Sequence, residues 1–169
     1  MNDQSTVRSA GLDRAVTFTL NGEPAVWDGS PAVCLLDALR EGFRDTGVKC
    51  GCKEGECGAC AVILDGKLIN SCMAAMGRVD GSDVITITGY KKTGRFAALD
   101  RAFADAGAVQ CGFCIPGMVL AAECLLRENP HPTDDEIRVG ISGNLCRCTG
   151  YNAIVKAISA ASKEGDGLW

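Results

Sequence analysis

The stretch "CGCKEGECGAC", residues 50 to 60, places four cysteines in eleven residues, and a further run of cysteines appears about fifty residues later. The chain carries eleven cysteines in 169 residues, far above ordinary usage. Disulfide, zinc, haem and iron–sulfur chemistry each need sulfur at characteristic spacings. The N-terminal segment "MNDQSTVRSAGLDRAVTFTL" has charges at Asp3, Arg8, Asp13 and Arg14, and no apolar core of signal-peptide length. No stretch approaches the ~18 uncharged apolar residues of a membrane span. The expectation is a soluble, cytoplasmic chain, where thiols stay reduced and disulfide frameworks are rare. Metal ligation or redox chemistry is the better account of the sulfur.

Charge narrows the partners. The net charge is −4 with Lys and Arg dispersed, so neither nucleic acid nor an anionic membrane is expected as a partner. Hydrophobic residues make up 47% of the chain, enough for a core, and 21 glycines suit tight turns around something compact.

Residues 88 to 95, "TGYKKTGR", read as a polar joint between two halves. Before it the period is that of strands. Val16, Phe18 and Leu20 alternate with Ala15, Thr17 and Thr19, and Asn21-Gly22 suits a type I′ turn into Ala25-Val26-Trp27. Ser30 and Pro31 are expected to open a helix with Leu35, Leu36, Leu39 and Phe43 on one stripe. "AVILDGKLI" is a second hairpin turning at Asp65-Gly66, and "DVITITG" reads as a late strand. After the joint the period becomes 3.6. Helices are expected over 96–107, 116–129, 133–141 and 151–165, the third with the capping-box pair Thr133 and Glu136. The fold class is α+β: a small sheet crossed by one helix, then a four-helix bundle. The divisions are a tail at 1–12, a sheet domain at 13–90 and a helical domain at 91–169, with 163–169 as loose as the tail.

In the first half, Cys52-x4-Cys57-x2-Cys60 is followed by Cys72. This is the plant-type [2Fe–2S] spacing. Structural zinc sites use two short-spaced pairs instead. Gly51, Gly55 and Gly58 let the loop turn its N–H groups toward sulfur. Cys50 competes with Cys52 as a ligand, but only Cys52 gives the four-residue gap to Cys57. Cys34 and Cys124 fall inside the expected helices and read as core residues. In the second half, Cys111-x2-Cys114 and Cys146-x-Cys148 lie between helices. A C-x2-C pair alone could be a redox dithiol or half of a zinc site. Two pairs within one bundle can supply four thiolates to one centre.

"GCKEGECGAC", "SCM", "QCGFCIPGM" and "GNLCRCTGY" together resemble the small iron–sulfur subunit of the molybdenum hydroxylases, the xanthine oxidase family. The resemblance runs from about Val16 to Ile158. It implies an N-terminal β-grasp, plant-ferredoxin-like domain and a four-helix C-terminal domain, each with one [2Fe–2S] cluster. It assigns Cys52, Cys57, Cys60 and Cys72 to the cluster nearer the flavin, and Cys111, Cys114, Cys146 and Cys148 to the cluster nearer molybdenum. It also places Gln110 and Cys148 near the molybdopterin. Two positions depart from the family pattern: Ile115 and Ala61 stand where Thr is usual.

No phosphate-cradling motif is present, and the single histidine, His131, sits in a proline-flanked turn. The chain itself is therefore expected to have no catalytic residue. The resemblance implies a large molybdopterin-binding subunit and a medium FAD-binding subunit as partners, in a heterotrimer or a dimer of heterotrimers. The implied role is electron transfer from molybdenum through two clusters to FAD. The substrate is expected to be a purine such as xanthine; N-heteroaromatics, aldehydes, carbon monoxide and aromatic CoA thioesters, or a free-standing two-cluster ferredoxin, are the alternatives.

Overall fold

A computed structural model describes residues 15–165 and 167–169. The expected tail at 1–12 lies outside the described residues. Strands β1 (Val16–Leu20) and β2 (Glu23–Trp27) form the first hairpin. Asn21 and Gly22 both have positive φ, 55° and 85°, as a type I′ turn requires. β3 (Ala61–Leu64) and β4 (Lys67–Asn70) form the second hairpin, through Asp65 and Gly66 at φ 48° and 79°. β5 (Asp83–Ile85) lies between the hairpins, parallel to β1 and antiparallel to β3, giving the order β2-β1-β5-β3-β4.

The helix expected from Ser30 begins later. α1 (Leu35–Asp37) starts after Cys34, which adopts an extended backbone at the N-cap position, and runs on as a π-helical turn, Ala38–Gly42. Cys34 therefore precedes the helix rather than sitting inside it. Leu35, Leu36 and Leu39 are fully buried against Val16, Phe18, Val62 and Val84. Phe43 closes this core edge-on to Phe18, with ring centroids 5.5 Å apart.

β3 does not alternate in burial, because both faces of the sheet are covered. Val62 points into the core beneath α1, while its neighbour Ile63 joins a second core built by the helices. That second core contains α3 (Gly94–Asp105), α4 (Ile115–Glu128), α5 (Asp134–Gly140) and α6 (Asn152–Glu164). α4 lies on β3 and β4, and α6 packs against α3 and α5. The capping box at Thr133 and Glu136 is present, as the sequence indicates.

The segment "DVITITG" is strand only as far as Ile85. Thr86 caps a short helix, α2 (Ile87–Tyr90), by accepting the Thr88 N–H at 3.2 Å. Its hydroxyl donates to Asp45 at 2.6 Å, and its N–H donates to Asn21 at 2.8 Å. A threonine with these partners satisfies its backbone outside a strand, which the β-branched alternation conceals. The joint is thus structured, and Tyr90 is buried. The C-terminal end is also anchored, because Trp169 Nε1 donates to the buried Glu123 carboxylate at 2.8 Å. Tyr90 Oη donates to the same oxygen at 2.6 Å, and Arg95 lies 3.4 Å from the other one. Among the described residues, no helix is long and apolar enough to cross a membrane.

Candidate metal centres

The loop from Arg44 to Cys60 leaves the π-helical turn and enters β3 carrying Cys52, Cys57 and Cys60. Cys72 comes from a short 3-10 turn, Ser71–Met73, directly after β4. The hairpin β3–β4 is what returns Cys72 to the loop. Ser71 fixes the junction by donating its hydroxyl to the Cys60 carbonyl at 2.7 Å, and Asn70 Nδ2 donates to the Gly55 carbonyl at 2.6 Å. Lys53 takes a left-handed backbone, φ 61°, and its ammonium pairs with Asp37 at 2.8 Å. At Gly51 the close approach is decisive, since a Cβ there would lie 2.7 Å from Cys57 Sγ.

The four thiols meet in twos. Cys52 faces Cys57, and Cys72 faces Cys60, with the Cys52 charge also felt at Cys72. Cys52 is drawn down to about 7, first by the Glu54 N–H, whose nitrogen is 3.3 Å from the sulfur, and then by the Cys57 backbone. Cys72 is pushed up to about 11, chiefly by burial and then by its hydrogen bond with Cys60. Cys50 and Cys34 lie against the sheet-half core.

In the second half, Cys111 and Cys114 lie between α3 and α4, with Cys114 at the N-cap position of α4. Cys146 and Cys148 lie between α5 and α6. Again the thiols pair: Cys111 with Cys148, sulfur to sulfur 3.8 Å, and Cys114 with Cys146. Burial first, and then Cys146, push Cys114 up to about 12. Burial acts in the same sense on Cys146, but the Thr149 hydroxyl, with the N–H groups of Thr149 and Cys148, outweighs it and brings Cys146 to about 7. Cys148 is raised by its partner Cys111. Cys111 and Cys148 are exposed, as is Gln110. Cys124 lies in α4 and is pushed up to about 11 by burial against the helical core.

Pairing is the informative property. Among the described residues, no three histidine, cysteine, aspartate or glutamate side chains converge on a point that a single metal ion could occupy. Two thiolates at about 2.3 Å from one tetrahedral metal sit about 3.8 Å apart, the Cys111–Cys148 separation. A [2Fe–2S] cluster takes four thiolates, two on each of its two irons. Each quartet, meeting as two pairs, has the donor set and grouping such a cluster requires.

The loops that carry the two quartets are in direct contact. The Leu145 N–H donates to the Cys57 carbonyl at 2.9 Å, and Asn144 Nδ2 donates to the Gly58 carbonyl at 3.1 Å. Gly58 has φ +67°, and a Cβ there would collide with the Gly143 carbonyl and Asn144. One hydrogen bond and one peptide unit thus separate Cys57 from Cys146. The sequence does not reveal this contact, since "GNL" before the cysteines carries no sign of what Asn144 would meet. Thr149, whose hydroxyl lies 3.1 Å from Cys146 Sγ, likewise carries no local signal of that contact.

Comparison with known proteins bears on both halves. Residues 18–83 match the model of a 2Fe-2S iron-sulfur cluster binding domain, and residues 86–159 match that of a [2Fe-2S] binding domain. The nicotinate dehydrogenase small FeS subunit of Eubacterium barkeri is 50% identical over 146 residues, covering 86% of this chain and 93% of the relative. The chain belongs to the small iron–sulfur subunits of the molybdenum hydroxylases. The xanthine dehydrogenase iron-sulfur-binding subunit of Escherichia coli O157:H7 is 43% identical over 152 residues, covering 88% of this subunit and 94% of that one. Among solved structures, quinoline 2-oxidoreductase from Pseudomonas putida 86 superposes with a TM-score of 0.85 at 40% identity, over 90% of this chain and 96% of that chain. The aldehyde oxidoreductase of Desulfovibrio gigas superposes with a TM-score of 0.84 at 38% identity, over 92% of this chain but 18% of a longer one. The same module thus occurs both as a separate subunit and as part of a longer chain. The subunit carries two [2Fe–2S] domains of an oxidoreductase and serves in electron transfer.

Proposed function

We propose that Cys52, Cys57, Cys60 and Cys72 hold the cluster nearer the flavin, and that Cys111, Cys114, Cys146 and Cys148 hold the cluster nearer molybdenum. The pairwise meeting of thiols in both quartets is the observation that carries this reading. The clusters supply reversible one-electron storage at each site. The protein holds the two sites at fixed separation through the Leu145-to-Cys57 hydrogen bond. In this reading residues 13–90 form a β-grasp domain and residues 91–169 a four-helix domain.

The partners are a large molybdopterin-binding chain and a medium FAD-binding chain, in a heterotrimer or a pair of them. Gln110 and Cys148 face the pterin. Their exposure, with Val109, Phe113 and Leu145 exposed around them, suits a surface that a partner covers. Substrate oxidation on the large chain releases two electrons, which leave one at a time through the helical site, the sheet site and FAD. The substrate is a purine such as xanthine, a reading in line with the xanthine dehydrogenase subunit among the relatives; a nitrogen heteroaromatic such as nicotinate is the alternative.

Rapid mixing of the assembled enzyme with substrate tests the path. In Cys148→Ser, a harder oxygen ligand weakens the helical cluster or lowers its potential. Flavin reduction by substrate should then slow by orders of magnitude, while molybdenum is still reduced. Undiminished flavin reduction in a variant shown to lack this cluster would refute the path.

A further inference from the structure

The short run Thr149-Gly150-Tyr151 fixes the surroundings of one sulfur. Thr149 Oγ1 lies 3.1 Å from Cys146 Sγ and 3.3 Å from the Tyr151 backbone nitrogen. A hydroxyl has one proton and two lone pairs. The Tyr151 N–H takes one lone pair, and the Thr149 O–H donates to the Cys146 sulfur, its acceptor among the described residues. Tyr151 is itself held in place. Its Oη accepts the Cys146 N–H at 2.8 Å, and its backbone is left-handed at φ +67° just ahead of α6. A bulky residue keeps such a conformation only where its surroundings impose it. Here three hydrogen bonds close a small ring from Cys146 through Tyr151 to Thr149 and back to sulfur. Among the described residues, no other thiol of either quartet has a side-chain hydroxyl donating to it; the Cys52 sulfur is met by the backbone N–H of Glu54 instead.

We infer that Thr149 is a positioning residue that sets the reduction potential of the helical-site cluster, by donating its hydroxyl proton to the Cys146 sulfur. The inference rests on Cys146 being a ligand of that cluster. On reduction one electron enters the site, supplied by the substrate oxidised on the large subunit, and later leaves toward the sheet site. No bond is made or broken, and the Thr149 proton stays on its oxygen. The added electron increases the negative charge on the ligating sulfurs, so a donor aimed at one of them stabilises the reduced form more than the oxidised form. Thr149 thereby raises the potential of the helical-site cluster.

The test is a redox titration of the assembled complex carrying Thr149→Val, following the two cluster signals by electron paramagnetic resonance. At the wild-type midpoint, the reduced-to-oxidised ratio of the helical-site cluster should fall about tenfold, equivalent to about 59 mV for a one-electron couple. The sheet-site cluster should keep its midpoint, and Thr149→Ser should restore the helical one. Full iron content with an unchanged helical-site midpoint in Thr149→Val overturns the inference while leaving the ligand assignment standing. A wild-type complex with no second cluster would instead overturn the assignment. If the valine variant loses the cluster, electron–nuclear double resonance of the wild type after brief transfer to D2O decides. A coupled proton that exchanges within the brief transfer, faster than the backbone N–H groups of Thr149 and Cys148 that also meet the Cys146 sulfur, supports the role of Thr149, and its absence overturns it.

Discussion

The two thiol quartets solve one chemical problem by different means. The sheet site draws three of its thiols from a single loop and surrounds them with backbone. Cys52 accepts from the Glu54 N–H, and Gly51 clears space beneath Cys57. The helical site draws two thiols from each of two loops, and side chains dress it: Thr149 on Cys146 sulfur, and Tyr151 on the Cys146 N–H. Their supporting cores differ in the same sense. The sheet half rests on Leu35, Leu36, Leu39, Val62 and Val84, with no buried carboxylate among its described residues. The helical half instead ties α2, α3, α4 and the C-terminal end around the buried Glu123. A site drawn mostly from one loop depends on local conformation, whereas a site drawn from two interhelical loops depends on how the flanking helices are held.

That contrast can be broken first at Glu123. Replacing it with Ala strands the buried Tyr90 Oη and removes the acceptor of the half-buried Trp169 Nε1, at a cost of about 3 kcal/mol. Chemical denaturation should show this loss. Iron release on mild heating should begin with the helical-site signal, and simultaneous loss of both signals would show that the halves do not differ in this way.

A smaller effect is expected at Gly58, where the two sites touch. Gly58→Ala places a Cβ against the Gly143 carbonyl in a left-handed conformation, costing about 2 kcal/mol. The expected outcome is a weakened sheet loop and slower electron exchange between clusters, read by spectroscopy after partial reduction. An unchanged exchange rate with unchanged stability would mean that this contact does not hold the sites together.

The smallest effect is expected at Cys50. It packs against the sheet core, so Cys50→Ala should cost under about 1 kcal/mol and leave both cluster signals intact. Loss of the sheet-site signal would move the ligand register from Cys52 to Cys50.

The same division between local and long-range explains what the sequence discloses. The C-x4-C-x2-C loop, the Asn21-Gly22 and Asp65-Gly66 turns and the Thr133–Glu136 capping box are set by neighbours a few residues apart, and all are legible in the sequence. Thr86 is harder to read, because its strand-like surroundings hide a cap whose partners, Asn21 and Asp45, lie some 65 and 41 residues away. Trp169 closes the molecule on Glu123 from 46 residues away, which makes a polar-looking C-terminal end part of the core. The link from Leu145 to Cys57 spans the two halves and has no local signature at all. Pattern therefore locates the donor atoms, while tertiary structure determines how they are paired and tuned.

The central claim is that eight thiols form two separate two-iron sites. Iron, acid-labile sulfide and zinc measured on the fully loaded subunit test it most directly. The account predicts about four irons and four sulfides per chain, without zinc, and two distinct cluster signals on reduction. About two irons per chain, or zinc in place of iron at either quartet, would contradict it.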